Sequence, residues 1–549
     1  MKKIKVMLTA TIWLGAILTT FACSHPERNV IMTTYFKKGQ FQWNALEKVI
    51  NNFNAVNANN SEFDHRKIIL KFVQNNGVEK EVNAGYYGVR KLPNLFTSYA
   101  DEVVKYSKTL QEQLVDVKIP DLSPCIDKPS IIDSYWQETM YKGKQYTVPI
   151  GKSLDLMFIN KKLLLEVFAK IEGLTPQANL LLPLGDNLSN YQGMNGQWKV
   201  NKSIDWSKFQ TQLNVLKEWN SLETMKAGII TWSSYLSLVQ VTSHLLNNLA
   251  NLKNLNEVYA VAMDDLPNGL YAQYANNEAL NSETKFNEFL YRENSSGEFV
   301  LNLKGKSFEI LQKHLSGLQK LKDLANRTSN DIKRNTGLHV KVPTATSPQG
   351  TFASTLFNQS KALVGIGSTS GVQFLLQKKR LKPDDIWALP VPFSTGGKYV
   401  IQQGPGIAMF KMNDPIKDKI SEAFIKYVTS QEANEVYAFD SGYLPINKAS
   451  YETGSSYGQK LHHAPTESYL QVIAQVWELM NAKQITTASL PLTQWGAIFR
   501  QTVLKSLNIF YQDLLNASYP ERPLTEKEFL NILKRQTKDD GIHDFIIEQ

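Results

Sequence analysis

The chain has 549 residues, more than one hydrophobic core usually supports, so we expect two or more lobes. Hydrophobic residues make up 42% and aromatic residues 11%, which excludes a disordered chain. The net charge is +9, but most of the 60 basic residues are Lys and no long basic block occurs, so no nucleic-acid partner is predicted.

The first 23 residues have the pattern of a secretory signal. Lysines near the N-terminus precede an uncharged apolar stretch from Val6 to Phe21, which ends at Ala22-Cys23. A small residue before the first Cys resembles the bacterial lipobox, in which the Cys thiol receives a diacylglyceryl group, although the two residues before Ala22 depart from the usual pattern. We expect a lipid anchor at Cys23; a plain secretory signal and an uncleaved anchor are the alternatives.

The first half of the chain alternates between strand and helix patterns. Apolar residues at helical spacing predict a helix over 41–57, and β-branched and aromatic residues predict a strand over 67–74. A strand, a loop and a helix are predicted over 91–108, a strand over 144–150, and a strand passing into a helix over 153–168. This alternation predicts an α/β fold.

The second half is predicted to be richer in helix. Residues 185–203 are rich in Gly and Asn and predict a loop insertion, after which Asp205 is a candidate N-cap of a helix over 205–219. A mainly helical region follows to about residue 325, and another helix is predicted over 414–439. The C-terminal third is also predicted to be helical.

The stretch KALVGIGSTSGVQFLL, 361–376, predicts a strand, a loop of small residues and the start of a helix. Its glycines are spaced too widely for a dinucleotide fingerprint, and Thr369 stands at the centre of GSTSG, where a nucleophile elbow has Ser. Two interpretations remain: a ligand cradle of free amides and hydroxyls, or a helix start capped by Ser and Thr.

Several stretches resemble, in the same order, the extracytoplasmic solute-binding proteins of ABC importers, in the branch that binds sugars and glycerol 3-phosphate. They are LPNLFTSYADEV, GKQYTVPIGKSLDLMFINKKLL, DWSKFQTQL, SKALVGIGSTSGVQFL, WALPVPF, QGPGIAMFKMNDP, SEAFIKYVTSQEAN and SGYLPINKASYE. The resemblance implies a two-lobe α/β fold of the type II periplasmic-binding-protein class, with a ligand cleft at hinge crossovers.

The crossovers are expected at 148–151 and 389–393. The expected division is therefore a signal peptide over 1–22, a linker over 23–28, a first lobe over 29–150 and 390–435, and a second lobe over 151–389 and 436–549.

The resemblance also implies where the solute binds. The implied residues are Tyr99, Asp101, Lys152, Ser153, Asp155, Trp232, Tyr235, Ser368, Thr369, Ser370, Gly404, Tyr443 and Trp495. Their residue types leave other roles open: Asp101 could cap a helix, Asp155 could point into a lobe, and Trp232 and Tyr235 could pack in a core.

One expected feature of the glycerol-phosphate binders is displaced. They carry a phosphate-clamping Arg near the C-terminus, but in PLTQWGAIFR, 491–500, Arg500 comes several residues late and Trp495 lies nearer. A bidentate phosphate clamp is therefore not predicted. Lys152 and loop amides would still allow phosphate, so a neutral sugar and an organophosphate both remain candidate solutes.

The resemblance implies a receptor that delivers a solute to an ABC permease and touches the membrane through its lipid. No metal is predicted, since the two Cys exclude a CxxC cluster and no HExxH occurs, and no cofactor is predicted. No catalytic residue is predicted, because no triad or carboxylate pair has supporting context. The alternatives are an extracellular glycosidase or phosphodiesterase, suggested by neighbouring carboxylates, and a surface antigen that keeps the fold without a solute.

Overall fold

The computed structural model describes residues 28–73, 78, 80–82, 91–113, 117–171, 174, 204–248, 259–276, 289–325, 338–340, 351–376, 381–392, 399–465, 468–493, 495–516, 525–539, 542 and 545–548. The predicted signal segment with Cys23 and the predicted insertion at 185–203 lie outside these residues. Within this part of the chain, no helix combines the length and the apolar character needed to cross a membrane.

The strands of the described residues are short, and most are buried. They are β1 (Val30–Thr34), β2 (Ile68–Phe72), β3 (Leu95–Ser98), β4 (Met140–Tyr141), β5 (Lys144–Gln145), β6 (Val148–Pro149), β7 (Ser153–Asn160), β8 (Tyr259–Met263) and β9 (Tyr291–Glu293). They continue with β10 (Phe299–Asn302), β11 (Leu338–Val340), β12 (Ala362–Ser368), β13 (Ile386–Leu389), β14 (Tyr399–Gln403), β15 (Gly406–Met409), β16 (Thr486–Ala488) and β17 (Phe545–Glu548).

The helices lie between these strands and dominate the C-terminal part. They are α1 (Phe41–Val56), α2 (Ala100–Gln113), α3 (Asp133–Gln137), α4 (Lys161–Ala169), α5 (Gln210–Lys217), α6 (Leu222–Ile229), α7 (Trp232–Asn247), α8 (Leu266–Ala275) and α9 (Gly305–Ala325). They continue with α10 (Ala353–Asn358), α11 (Val372–Leu375), α12 (Pro415–Val428), α13 (Gln431–Ser441), α14 (Ser456–His462), α15 (Leu470–Asn481), α16 (Gly496–Asn516) and α17 (Glu526–Asp539).

The first lobe is built on a sheet with the strand order β2-β1-β3-β15-β6 in the described residues. Strand β1 pairs in parallel with β2 and β3, whereas β15 pairs antiparallel with β3 and β6. Helix α1 buries Trp43, Leu46 and Phe53 from one face, and it packs against α13. Burial of these large side chains supplies much of the stability of this lobe.

The second lobe is built on a larger sheet in the order β11-β8-β12-β7-β14-β16, with β13 also paired to β7. Strand β7 is buried along its whole length, since it lies between β12 on one side and β13 and β14 on the other. The C-terminal region adds to this lobe, because β17 pairs in parallel with β10 in a separate sheet that also holds β9. The sequence pattern does not predict this last strand.

Two predicted helices begin or end differently in the structure. The helix predicted over 414–439 is divided into α12 and α13, which separate at Thr429 and Ser430. The helix predicted from Asp205 starts with a 3₁₀ turn, Ser207–Phe209, and Asp205 accepts a hydrogen bond from the Ser207 amide at 2.9 Å. The predicted N-cap role of Asp205 is therefore wrong: Trp206 is the N-cap residue of the 3₁₀ turn and Phe209 that of α5.

The chain passes between the two sheets at three places that lie side by side. The first passage runs from β6 to β7 through Gly151, at the end of the predicted crossover 148–151. The second passage differs from the prediction at 389–393: β13 and β14 both pair with β7, so the chain leaves the second sheet at Gly404. The third passage follows α13, where Leu444 pairs with Lys152.

Gly404 lies where the first two passages touch. Its φ is +135°, and a Cβ placed on it would lie 2.4 Å from the carbonyl oxygen of Gly151. Residues other than glycine rarely adopt this φ. The contacting oxygen belongs to the backbone of Gly151, so it cannot move aside as the end of a flexible side chain could. The two passages are therefore packed backbone against backbone, and this contact requires glycine.

We predict that Gly404→Ala lowers the free energy of unfolding by at least about 2 kcal/mol, because it combines a forbidden φ with a backbone clash. Urea denaturation of the purified protein measures the change. Gly454→Ala is the matched control, because a Cβ at Gly454 would have no neighbour within 4 Å. Equal stability of the two variants would contradict the packing described above.

Candidate functional site

A cavity of about 290 Å³ lies between the two lobes. The first lobe contributes Tyr35, the end of β3, the first turn of α2 and Glu138, and the second lobe contributes the first turn of α8, the end of β14 and one face of α16. The polar residues of its lining are Tyr35, Thr97, Ser98, Tyr99, Asp101, Glu102, Glu138, Asp265, Asn268, Gln402, Gln403, Arg500 and Gln501.

The topology explains why polar side chains meet at this cavity. Tyr35 follows β1 directly, Tyr99 follows β3, and Asp265 comes two residues after β8. These strands belong to the parallel parts of the two sheets, and ligands of open α/β sheets bind outside the carboxyl ends of such strands. The two sheets thus present their carboxyl ends to one shared space.

An ion pair crosses the cavity between Asp101 on α2 and Arg500 on α16. The Arg500 Nη2 atom lies 3.3 Å from the Asp101 Oδ1 atom, and the guanidinium carbon lies 4.4 Å from the centre of the Tyr99 ring. Burial opposes the charge of Arg500, but the Asp101 carboxylate and the nearby tyrosines Tyr99, Tyr291 and Tyr271 together outweigh burial and raise the pKa of the guanidinium. Arg500 thus stays charged, joins the two lobes and is already engaged by a carboxylate.

The charged side chains that line the cavity are mostly acidic. Asp101, Glu102, Glu138 and Asp265 carry carboxylates, and Arg500 is the one basic residue among the described lining residues. Glu102 accepts a hydrogen bond from the Tyr106 hydroxyl at 2.7 Å. A cavity with this balance favours solutes that donate hydrogen bonds over solutes that carry negative charge.

Asp155 lies just behind this lining, on β7. It is buried, and its Oδ1 atom accepts a hydrogen bond from Gln403 Nε2 at 2.9 Å. Burial, followed by the nearby carboxylate of Asp265, raises the pKa of Asp155 from 3.8 to about 8. Asp155 is therefore protonated over most of the acidic and neutral range, and it contacts the lining residue Gln403 rather than the cavity itself.

We predict that Asp155 makes stability fall as the pH rises. Because the folded pKa lies above the unfolded value, the native state keeps a proton that the unfolded chain loses between about pH 4 and pH 8, which lowers stability by up to ~1.4 kcal/mol per pH unit. Asp155→Asn should therefore lose less stability than the parent protein between pH 5 and pH 8. Urea denaturation at both pH values tests this, with the exposed Asp127→Asn as the control; parallel profiles for parent and Asp155→Asn would refute it.

Of the residues that the sequence predicts for the site, Tyr99 and Asp101 line the cavity. Lys152, Gly404 and Tyr443 lie instead at the passages between the lobes. Lys152 is 1% exposed and forms an ion pair with Glu138, so its ammonium is held by the protein itself. Ser153, also buried, pairs with Gln403 in the second sheet.

Three predicted aromatic residues lie in or against the core of the second lobe rather than in the cavity lining. Tyr235 is buried in that core, and its ring stacks on Trp232 with 5.7 Å between ring centres. Trp232 also fills the space beside Gly317, where a Cβ would lie 2.2 Å from the indole. Trp495 is partly buried against the same core. Core packing, the alternative interpretation of Trp232 and Tyr235, is what the structure shows.

The hydroxyls of the GSTSG stretch, 367–371, also form hydrogen bonds with backbone amides of the chain. Ser368 Oγ accepts a hydrogen bond from the Ser370 amide at 3.2 Å, and Thr369 Oγ1 accepts one from the Leu154 amide at 3.0 Å. None of these three residues lines the cavity among the described residues. Gly367 leaves room for Asp264, whose carboxylate would lie 2.8 Å from a Cβ at that position. The capped helix start is therefore the arrangement observed here.

Comparison with known families matches residues 76–466 to the bacterial extracellular solute-binding proteins. The match covers more than half of the chain. This chain belongs to that family. No curated protein sequence matches this solute-binding protein.

Solved structures share the fold of this solute-binding protein at low sequence identity. An ABC substrate-binding protein of Listeria monocytogenes, in complex with cycloalternan, has a TM-score of 0.55 and 13% identity over 93% of this chain and 99% of that one. The maltose/maltodextrin-binding domain of Bdellovibrio bacteriovorus, bound to maltotriose, has a TM-score of 0.53 and 14% identity over 93% and 100%. A receptor of Streptomyces glaucescens, solved with acarbose, has a TM-score of 0.54 and 11% identity over 93% and 98%. These likenesses confirm the two-lobe α/β fold.

The sequence does not predict most of the residues that line the cavity of the solute-binding protein. Glu138, Asn268, Gln402 and Gln403 carry no local signal, because only the packing of the lobes brings them together. Asp265 has a usable signal: it precedes Leu266-Pro267, and it caps α8 by accepting from the Asn268 amide at 3.4 Å. Arg500 stands in the segment where the family's Arg is expected, but several residues later.

A second cavity of about 700 Å³ shares the wall formed by Glu138, Ile401, Leu490 and Leu492 with the first. Its lining includes the aromatic residues Tyr141, Tyr274, Phe289 and Tyr399. In this solute-binding protein, Glu138 is therefore the one carboxylate, among the described lining residues, that both cavities share.

Proposed function

We propose that this extracellular solute-binding protein is a lipid-anchored receptor that binds a saccharide in the cavity between its lobes and delivers it to the permease of an ABC importer. The observation that carries the proposal is the lining of that cavity. It combines an aromatic ring, amide side chains and a carboxylate–guanidinium pair, the groups that commonly bind sugar hydroxyls.

The electrostatics of the cavity favour a saccharide over an organophosphate. Arg500 is engaged by Asp101, and Lys152 by Glu138, so neither cation is positioned as a phosphate clamp. The remaining lining is dominated by carboxylates and amides, and desolvating a phosphate against carboxylates is unfavourable. The proteins of similar fold that were solved with cycloalternan, maltotriose and acarbose support the same solute class.

The volume of the cavity is consistent with a small solute. At about 290 Å³ it lies just below the usual range for ligand pockets. The polar groups come from both lobes, so a solute that contacts Asp101 and Asn268 at once would hold the lobes together. Binding at such an interface is how closure about a hinge is coupled to a ligand.

We predict that a panel of saccharides, including maltose, maltotriose and mannotriose, contains a ligand that raises the melting temperature, whereas glycerol 3-phosphate does not. Asp101→Asn should weaken binding of that saccharide at least tenfold, because the substitution removes the charge that orients Arg500 across the cavity. Scanning fluorimetry identifies the saccharide, and isothermal titration calorimetry measures its affinity.

Asp127→Asn is the matched control, since Asp127 is exposed and lies outside the cavity lining. It should bind the saccharide as the parent does. A panel without any stabilising saccharide, or a clear preference for glycerol 3-phosphate, would overturn the proposed solute class.

The lipid anchor rests on the sequence before the described residues. Ala22-Cys23 follows the apolar stretch ending at Phe21, and β1 starts at Val30, so only a short linker separates Cys23 from the first lobe. A diacylglyceryl group with a further acyl chain holds a protein firmly on a membrane. The receptor would therefore stay close to the permease that it serves.

We predict that Cys23→Ser moves the protein from the membrane fraction to the soluble fraction and abolishes incorporation of radiolabelled palmitate. Cys125→Ser is the control, because Cys125 lies within the first lobe and should not affect fractionation. Membrane retention of Cys23→Ser after alkaline washing would show that the N-terminal segment anchors the protein without lipid.

A further inference from the structure

Glu138 lies where the cavity meets the passages between the lobes. It directly follows α3 in the first lobe, lines the cavity, and its side chain is 13% exposed. Its Oε2 atom forms the ion pair with Lys152 Nζ and accepts from Gln402 Nε2 at 2.8 Å. Both hydrogen bonds that the structure gives to the Glu138 side chain thus end on a single oxygen.

The two partners of Oε2 belong to different passages between the lobes. Lys152 lies on the first passage, and Gln402 lies at the end of β14, where the second passage begins. Gln402 Nε2 also lies 2.9 Å from the Ser134 carbonyl oxygen and 2.7 Å from Ser489 Oγ. Glu138 therefore connects α3 of the first lobe to two segments that lead into the second lobe.

Lys152 extends the same connection to the third passage. Its amide donates to the Leu444 carbonyl at 3.0 Å, and its carbonyl accepts from the Leu444 amide at 2.6 Å. Its Cα would lie 3.3 Å from a Cβ at Gly404. The backbone of Lys152 is thus in contact with both other passages, while its side chain reaches the wall of the cavity.

The other oxygen of Glu138, Oε1, differs from Oε2 in its contacts. Among the hydrogen bonds of the described residues, none ends on Oε1, and the residue borders the cavity. A carboxylate whose Oε2 is fixed by an ammonium and an amide presents Oε1 in one orientation, as an acceptor for a charge-assisted hydrogen bond. The group that fits it is a donor, such as a saccharide hydroxyl, whereas a phosphate oxygen would be repelled.

We propose that Glu138 binds a solute hydroxyl through Oε1 while Lys152 and Gln402 hold Oε2, so that one side chain links the bound solute to the passages between the lobes. Glu138 is then a solute-binding residue, and Lys152 is a positioning residue that acts through it. The proposal rests on the proposed saccharide-binding function for its solute, but the link to the passages can be measured without any solute.

The test uses Lys152→Met, Glu138→Gln and the double variant in the full-length protein. Methionine keeps the buried aliphatic chain without the ammonium, and glutamine keeps the shape without the charge. The double variant leaves no unpaired buried charge, which keeps the test open should a single variant fail to fold. Lys448→Met is the control, because Lys448 pairs with Asp133 at the start of α3, but the Lys448 side chain is half exposed and that of Asp133 is mostly exposed.

The first measurement is hydrogen exchange at the amides of Lys152 and Leu444 without solute. We expect exchange at both amides to be at least tenfold faster in Lys152→Met than in the parent, and unchanged in Lys448→Met. The double variant should resemble Lys152→Met, since both lack the same connection. Exchange at the parental rate in Lys152→Met and in the double variant would overturn the link between Glu138 and the passages.

The second measurement is calorimetry and small-angle scattering with maltotriose, or with the saccharide of the panel that binds when maltotriose does not. Glu138→Gln and Lys152→Met should each weaken saccharide binding at least tenfold. The affinity of the double variant should be no lower than that of the single variant with the lower affinity, because the two substitutions remove one shared interaction. The decrease in radius of gyration on saccharide binding should be smaller in these three variants than in the parent.

Parental affinity in Glu138→Gln would overturn the solute contact. A parent that binds no saccharide would overturn the proposed function, and hydrogen exchange alone would then decide whether Glu138 is linked to the passages.

Discussion

The close packing of three chain passages between the lobes is the constraint on which the rest of the structure depends. Gly404 lies against Gly151 so tightly that a single Cβ would meet a backbone oxygen at 2.4 Å, and Lys152 shares two backbone hydrogen bonds with Leu444. These contacts are short and mostly between backbone atoms, so they fix the place at which the two sheets are joined. The cavity has a defined shape because its two walls are joined through these passages.

The positions of the polar groups in the cavity depend on how these passages join the two lobes. Asp101 and Arg500 meet only because α2 and α16, which belong to different lobes, face each other across the space. The pair is partly buried, and breaking such a pair leaves an uncompensated charge, so the contact itself favours the juxtaposed lobes. A solute that inserts between the same groups adds its hydrogen bonds to an arrangement that the protein already favours.

Local patterns predict the parts of this protein that depend on local chemistry. The helix predicted over 41–57 is α1, because apolar periodicity is visible in a few residues. The strand and helix predicted over 91–108 are β3 and α2, with Tyr99 between them and Asp101 in the first turn of α2. The second passage is predicted too early, at 389–393, since nothing local shows that β14 pairs with β7 before the chain crosses. Arg500 is missed for a similar reason: its position depends on how α16 lies against α2.

The predicted site residues that do not line this cavity have a feature in common. Ser368 and Thr369 have the hydroxyls that a solute would need, and Lys152 has the charge that a phosphate would need, but the chain uses each of them for its own amides and carboxylates. Buried polar groups must be paired, and a chain this long has many of its own groups to satisfy. Residue type therefore indicates what a side chain can bind, whereas only packing decides whether a solute or the protein binds it. In this cavity Arg500 is engaged by Asp101, and the other charged side chains of the described lining are acidic, which is why the site suits a solute rich in hydroxyl donors.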